Sequence, residues 1–112
     1  GLDSLPTGYH AGRYNLTHNP TDRGKFLSPT LRNIELTGPY MHDGRFQTLE
    51  EVIEFYNSGV HKTSPNIDPL MTLPGKIYGL ELTVQEKQDL LNFLKTFTDT
   101  TFMNNPAYAS PF

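Results

Sequence analysis

The chain has no cysteine. That excludes disulfides, thiolate metal sites and any prosthetic group attached through a thioether within these 112 residues. Concentrated charge of one sign is also missing. Nine Lys and Arg against twelve Asp and Glu give a formal net charge of -3, and no basic run forms the footprint of a nucleic-acid binder. No apolar stretch approaches the ~20 residues that span a bilayer, and the N-terminus has no signal-like pattern. The start, Gly1-Leu2-Asp3, lacks an initiator Met and reads as a processed chain or as part of a longer product. There is no internal repeat, and no segment alternates as a half-buried strand does.

Turn formers and aromatics are what the chain does have. Nine glycines and nine prolines make up about one residue in six, above the usual one in eight or so. Seven Phe and six Tyr bring apolar area to bury, which argues against disorder. The composition therefore predicts one small, mainly α, loop-rich domain with a modest core.

Residues 1–27 read as an extended loop, from Leu5-Pro6-Thr7-Gly8 to Asn19-Pro20-Thr21-Asp22-Arg23-Gly24. So long a loop is usually functional, and this one is expected to wrap something. Ser28 followed by Pro29 predicts a capped short helix near 29–34. Thr48-Leu49-Glu50-Glu51 is a capping box. Leu49, Val52, Ile53 and Tyr56 then fall on one face, so a helix is predicted over about 48–58, with Gly59 ending it in a left-handed conformation. A second box, Thr83-Val84-Gln85-Glu86, opens a helix over about 83–98 that turns Leu90, Leu91, Leu94 and Phe97 inward, with Phe93 widening the face. One short helical turn is expected near Phe102.

Two moderate helices cannot enclose a core by themselves. With disulfides excluded, the domain is expected to borrow its core from a bound group or from further chain. The alternative is that the loops fold back and fill it with Phe26, Tyr40, Phe46 and Tyr78.

The stretch Gly24-Lys25-Phe26-Leu27-Ser28-Pro29-Thr30-Leu31-Arg32-Asn33-Ile34-Glu35-Leu36-Thr37-Gly38-Pro39-Tyr40-Met41-His42-Asp43-Gly44-Arg45-Phe46, followed by Thr48-Leu49-Glu50-Glu51-Val52, closely resembles the second-half signature of the bacterial dihaem cytochrome c peroxidase and MauG-like family. The helix from Leu82-Thr83 to Thr98 is similar to that family's closing helix, so the resemblance covers about residues 20–98. It implies a cytochrome c-like domain whose haem c is attached by a Cys-x-x-Cys-His segment, and this chain resembles what lies downstream of such a segment. The resemblance further implies a partner haem domain, a small electron donor (a cytochrome c or a cupredoxin) and a periplasmic setting. The parent enzyme would reduce hydrogen peroxide to water, with this portion inactive alone. The alternatives are a MauG-like oxidase of a protein or small substrate, and a haem-free binding or structural domain.

Residue by residue, the resemblance makes Tyr56 the expected distal iron ligand, since Met or Tyr stands at the matching position. A phenolate is a harder donor than a thioether and favours higher iron oxidation states. Without the resemblance, Tyr56 reads as an amphipathic ring at the core rim. Met71, in the loop before the last helix, is the rival ligand or else a gap-filling side chain. Met41 is a weaker candidate. His42 lies in a Gly-flanked loop and is expected at a haem edge, in a proton relay or on a metal ion. The four His, at positions 10, 18, 42 and 61, show no metal-ligand spacing. Arg32 resembles a propionate-binding arginine, its bland alternative being an ion pair with Glu35 or Asp43. Thr37 and Pro39 match positions whose backbone carbonyls help hold calcium, with the remaining ligands supplied from elsewhere.

Overall fold

The computed structural model describes residues 1–71, 75–76 and 79–108, which leaves Tyr78 outside the described residues. The chain is mainly helical. Its α-helices are α1 (Tyr14–Thr17), α2 (Leu49–Glu54), α3 (Val84–Lys95) and α4 (Thr100–Met103), joined by loops and single 3-10 turns. Among the described residues there is no strand; two isolated bridges, Gly12 with Lys25 and Tyr40 with Phe46, close loops. The turn expected near Phe102 is α4.

Both capping boxes form. The Thr48 hydroxyl accepts from the Glu51 amide at 3.2 Å and the Glu51 carboxylate accepts from the Thr48 amide at 3.3 Å. The Glu86 amide donates to the Thr83 hydroxyl at 3.2 Å, and the Thr83 amide to the Glu86 carboxylate at 2.8 Å. Each box satisfies amides that a helix start leaves unpaired.

The helix ends differ from expectation. α2 stops at Glu54 and widens into a π turn, Phe55–Gly59. Gly59 does not take a positive φ. A Cβ there would lie 3.2 Å from Phe55 Cδ2, so glycine is needed for space over that ring rather than for a left-handed cap. A wide turn at a helix end leaves carbonyls without intrahelical donors. The segment after Gly79 supplies them: the Leu80 amide donates to the Tyr56 carbonyl at 3.2 Å and the Glu81 amide to the Asn57 carbonyl at 3.4 Å. The Leu82 amide donates to Asn57 Oδ1 at 2.6 Å. Gly79, at φ 131°, permits this approach; a Cβ would stand 2.3 Å from the Asn57 carbonyl oxygen. α3 ends at Lys95 and closes through 3-10-type bonds, such as the Phe97 amide to the Leu94 carbonyl at 3.2 Å.

The helix expected near 29–34 is absent. The chain takes its first turn there as a 3-10 turn at Ile34–Leu36, entered through Asn33 at φ 56°. Asn33, in the left-handed region, cannot continue a right-handed helix through 29–34, and it is Asn33, not Ser28, whose side chain organises this segment. Asn33 is buried; its amide donates to the Phe97 carbonyl at 3.0 Å and its Oδ1 accepts from the Asp99 amide. The stretch is thereby tied to the end of α3.

Residues 1–27 are also more ordered than an extended loop. They hold a 3-10 turn at Gly8–Ala11, then α1, then a 3-10 turn at Pro20–Asp22. Buried Asp22 knits them by accepting from the Arg13 guanidinium and, at 2.9 Å, from the Thr17 hydroxyl. These bonds hold its carboxyl below the usual carboxylate range, the Arg13 bond most of all.

The core is thin. Leu49 and Ile53 of α2 pack on Leu91 of α3, edged by Ile34, Tyr40, Leu90 and Leu94. Tyr40 does fold back, its hydroxyl donating to the Ile34 carbonyl at 2.7 Å. Phe46 stacks near Phe55 with centroids 5.5 Å apart. Phe26 instead stays 43% exposed, and Phe93 and Phe97 also remain exposed on α3 and at its end. The radius of gyration is 16.6 Å, against about 13 Å for a compact domain of this length. The molecule is a plate of 47 × 40 × 18 Å.

An ion pair between Glu54 and Lys87, at 2.7 Å, reinforces the α2–α3 contact. Its hydrogen bonds with Lys87, then Ser58 and Asn57, lower the Glu54 pKa from 4.5 to about 2. A depressed carboxylate stabilises the fold above its unfolded pKa and loses that contribution as pH falls through the folded value. Glu54→Gln should therefore unfold more easily than the unaltered protein at neutral pH, with the difference fading between pH 4.5 and about 2; denaturant titrations across that range measure it. Asn33→Ala strips an acceptor from the Asp99 amide and puts Ala at a positive φ. It should cost about 2 kcal/mol, measured by the shift in denaturation midpoint.

Candidate functional site

Tyr56 sits inside the π turn, a helix irregularity that often marks functional positions. The turn is fixed by Phe55 on one side, with the two rings edge-to-face at 5.2 Å. The crossing 80–82 segment fixes the other side through the Tyr56 carbonyl. Tyr56 is 38% exposed. Burial of its inner part pushes the phenol pKa upward, so the hydroxyl stays protonated at neutral pH in the absence of a cation.

Met71 ends a 3-10 turn, Pro69–Met71, in the long connection to α3. It lines an open crevice of about 490 Å³ with Gly1, Gly24, Lys25, Asn66 and Ile67 among its neighbours. Two bonds tie the crevice's edges together: Asn66 Nδ2 donates to the Pro20 carbonyl at 2.8 Å, and the His61 amide to the Gly1 carbonyl at 2.8 Å. A thioether thus stands on a partly polar wall built from both ends of the plate's long loops.

The Tyr40–Phe46 bridge closes a tight loop in which Met41 takes φ 70° and Gly44 φ 67°. This loop lifts His42 onto the surface, where Phe26 stacks on its imidazole at a centroid distance of 4.0 Å. His42 Nε2 lies 2.8 Å from His10 Nδ1. Sequence spacing gave no hint of this pairing, because 31 residues separate the two and only the folding of the first loop unites them. Burial lowers the His42 pKa, the neighbouring Asp43 opposing it. Arg45 bridges Asp43 and Asp3, at 2.6 and 3.1 Å.

Arg32 is exposed and, among the described residues, makes no ion pair with Glu35 or Asp43. Those carboxylates have other partners: Lys95 and Thr98 hold Glu35, and Arg45 holds Asp43. Its guanidinium is therefore available to an external carboxylate, while its charge helps lower the Asp99 pKa behind that residue's hydrogen bonds. Thr37 and Pro39 are exposed, the latter after a cis peptide bond. Two backbone carbonyls are far from the roughly six to eight oxygens calcium takes. Among the described residues, the one group of three His, Asp or Glu ligand atoms is at His10, His42 and Asp43.

No family model matches the chain. It is 43% identical over 89 residues to the cytochrome-c peroxidase IdrP1 of Denitromonas iodatirespirans, covering 80% of this chain and 22% of that protein. It is 33% identical over 98 residues to the methylamine utilization protein MauG of Paracoccus denitrificans, covering 75% of this chain and 25% of that one. A solved MauG-like protein associated with microbial copper homeostasis superposes with a TM-score of 0.76 at 41% identity, over 99% of this chain and 36% of that chain. The fold is therefore that of a cytochrome c peroxidase-type helical domain. The chain belongs to the family of cytochrome-c peroxidases and MauG-like proteins, and spans about a fifth to a quarter of the curated relatives' length.

These relatives imply c-type haem as the family's cofactor. The residues present fit such a group in part. Met71 on its crevice wall and Tyr56 at the helix irregularity are chemically suitable axial donors, and Arg32 suits a propionate. Thioether attachment has no residue here, because the chain has no cysteine. Among the described residues, no helix is long and apolar enough to cross a membrane.

Proposed function

We propose that this chain is the haem-enclosing wall of a periplasmic dihaem peroxidase, accepting electrons from a small cytochrome c or cupredoxin. Bound haem would supply one-electron transfer and, at a second haem domain, the reduction of hydrogen peroxide to water. The chain's own residues bind and orient. Met71 would offer its sulfur to the iron, Arg32 would pair with a propionate, and the exposed Phe93 and Phe97 rings would cover apolar surface of the group or of its attachment segment. The plate shape supports this reading, since a domain 18 Å thick leaves such rings half in solvent unless something lies over them.

Met71 is the observation that carries the reading. A thioether on the wall of an open crevice matches the soft, neutral donor of an electron-transfer haem. Tyr56 favours a second reading, a MauG-like oxidase of a protein or small substrate, because a phenolate stabilises oxidised iron. Burial raises the pKa of the free phenol, and bound haem iron would supply the cation that a phenolate needs. Thr37 and Pro39 contribute to a calcium site in either reading only if other ligands join their carbonyls.

The test uses the whole protein that carries this chain. It should show a Soret band and consume peroxide with a reduced donor cytochrome. Met71→Ala should abolish the near-infrared methionine-to-iron charge-transfer band and lower the haem potential, while Tyr56→Phe leaves both unchanged. The opposite pattern transfers the ligand role to Tyr56 and the function to the oxidase reading. Absence of a Soret band would make the domain a haem-free binding or structural unit.

A further inference from the structure

We propose that His10, His42 and Asp43 form a binding site for one zinc-class divalent ion, with the Asp3 carboxylate beside it. The site lies at the seam between the N-terminal loop and the Tyr40–Phe46 loop. It stands independently of the haem reading.

The geometry is close to that of a ligand set. One ligand atom from each of His10, His42 and Asp43 lies within 4.8 Å of the others. His10 Nδ1 is 2.8 Å from His42 Nε2, 3.8 Å from Asp43 Oδ2 and 3.9 Å from Asp3 Oδ2. Zinc bonds of about 2.0–2.2 Å in a tetrahedron place ligand atoms about 3.3 Å apart. The imidazole pair must open by about half an ångström and the carboxylate close by a similar amount, movements that partly exposed side chains make by rotating about χ angles. Two imidazoles with a carboxylate suit zinc, copper or nickel, whereas calcium and magnesium prefer oxygen alone.

The surroundings support the ligands. Phe26 stacks on His42 with planes 23° apart, which limits rotation of that ring. Arg45 donates to Asp43 and Asp3 together and holds both carboxylates in place, as the outer partners of metal ligands do. Two carboxylates and one guanidinium leave one net negative charge to meet the cation. The protons also balance. Whichever ring donates across the 2.8 Å contact shifts its N–H to its other nitrogen, and both facing nitrogens then offer lone pairs.

Such an ion would join segments more than thirty residues apart and stabilise the first loop by mass action. To test this, the whole protein is stripped with a chelator and dialysed against Zn²⁺ alone. Bound zinc is then counted by mass spectrometry of the metal, and zinc-edge X-ray absorption reads its ligands without interference from iron. One zinc per chain is expected, with imidazole scattering in its shell. His10→Ala and Asp43→Asn should each weaken retention by about tenfold or more, while His18→Ala, at an exposed position, leaves it unchanged. Should His42→Ala fail to fold, His10→Ala still decides, since it alters a half-exposed turn whose folding circular dichroism checks. Failure of the unaltered protein to retain zinc, or undiminished retention by His10→Ala, overturns the proposal.

Discussion

The contact of Leu49 and Ile53 with Leu91 holds the rest of the molecule in place. It is where two helices bury apolar surface against each other, and the π turn and the Ile34–Leu36 turn are attached to them. The π turn extends α2, the 80–82 segment threads from that turn into α3, and Asn33 fastens the signature segment to the end of α3. A central cluster of three buried side chains contributes little when each is worth about 2 kcal/mol. Polar fasteners therefore carry much of the specificity: two capping boxes, one interhelical ion pair, and the Asn33 and Asn57 carboxamides.

Helix existence was legible from the chain because capping boxes and 3.6-residue periodicity are local properties. Thr48, Glu51, Thr83 and Glu86 occupy the roles their spacing implies. Helix ends were less legible. Gly59 looks like a left-handed terminator, yet its role is set by the Phe55 ring beneath it, a contact that no local pattern encodes. Ser28-Pro29 looks like a helix start and fails for the same kind of reason, since Asn33 draws its turn toward Asp99, sixty-six residues away. The first loop read as extended because proline and glycine mark turns without revealing that Asp22 will tie three of them together.

The site divides along the same line. His42 stands out by its place in the signature stretch, Tyr56 by the ligand position the resemblance implies and Met71 by its loop before the last helix; each occupies a distinctive environment: an aromatic stack, a π turn, a crevice wall. His10 was missed. Its partner lies on another loop, and the residues between the two carry no periodicity that would announce the meeting. Asn33, next to Arg32 in the same motif, carries no local sign of its distant partner Asp99. The common cause is that polar residues acting across long sequence separations leave no mark on their own neighbours.

The widened turn at Phe55–Gly59 gives the helix a different kind of adjustability. Each residue of an α-helix advances about 100° around the axis. Loss of one residue from this segment would restore regular α spacing and swing whatever follows it by about that angle, carrying it away from its present neighbours. Insertions and deletions, more than substitutions, are thus the changes to which the aim of the side chains beyond Glu54 is exposed. At this turn, chain length is itself a structural variable.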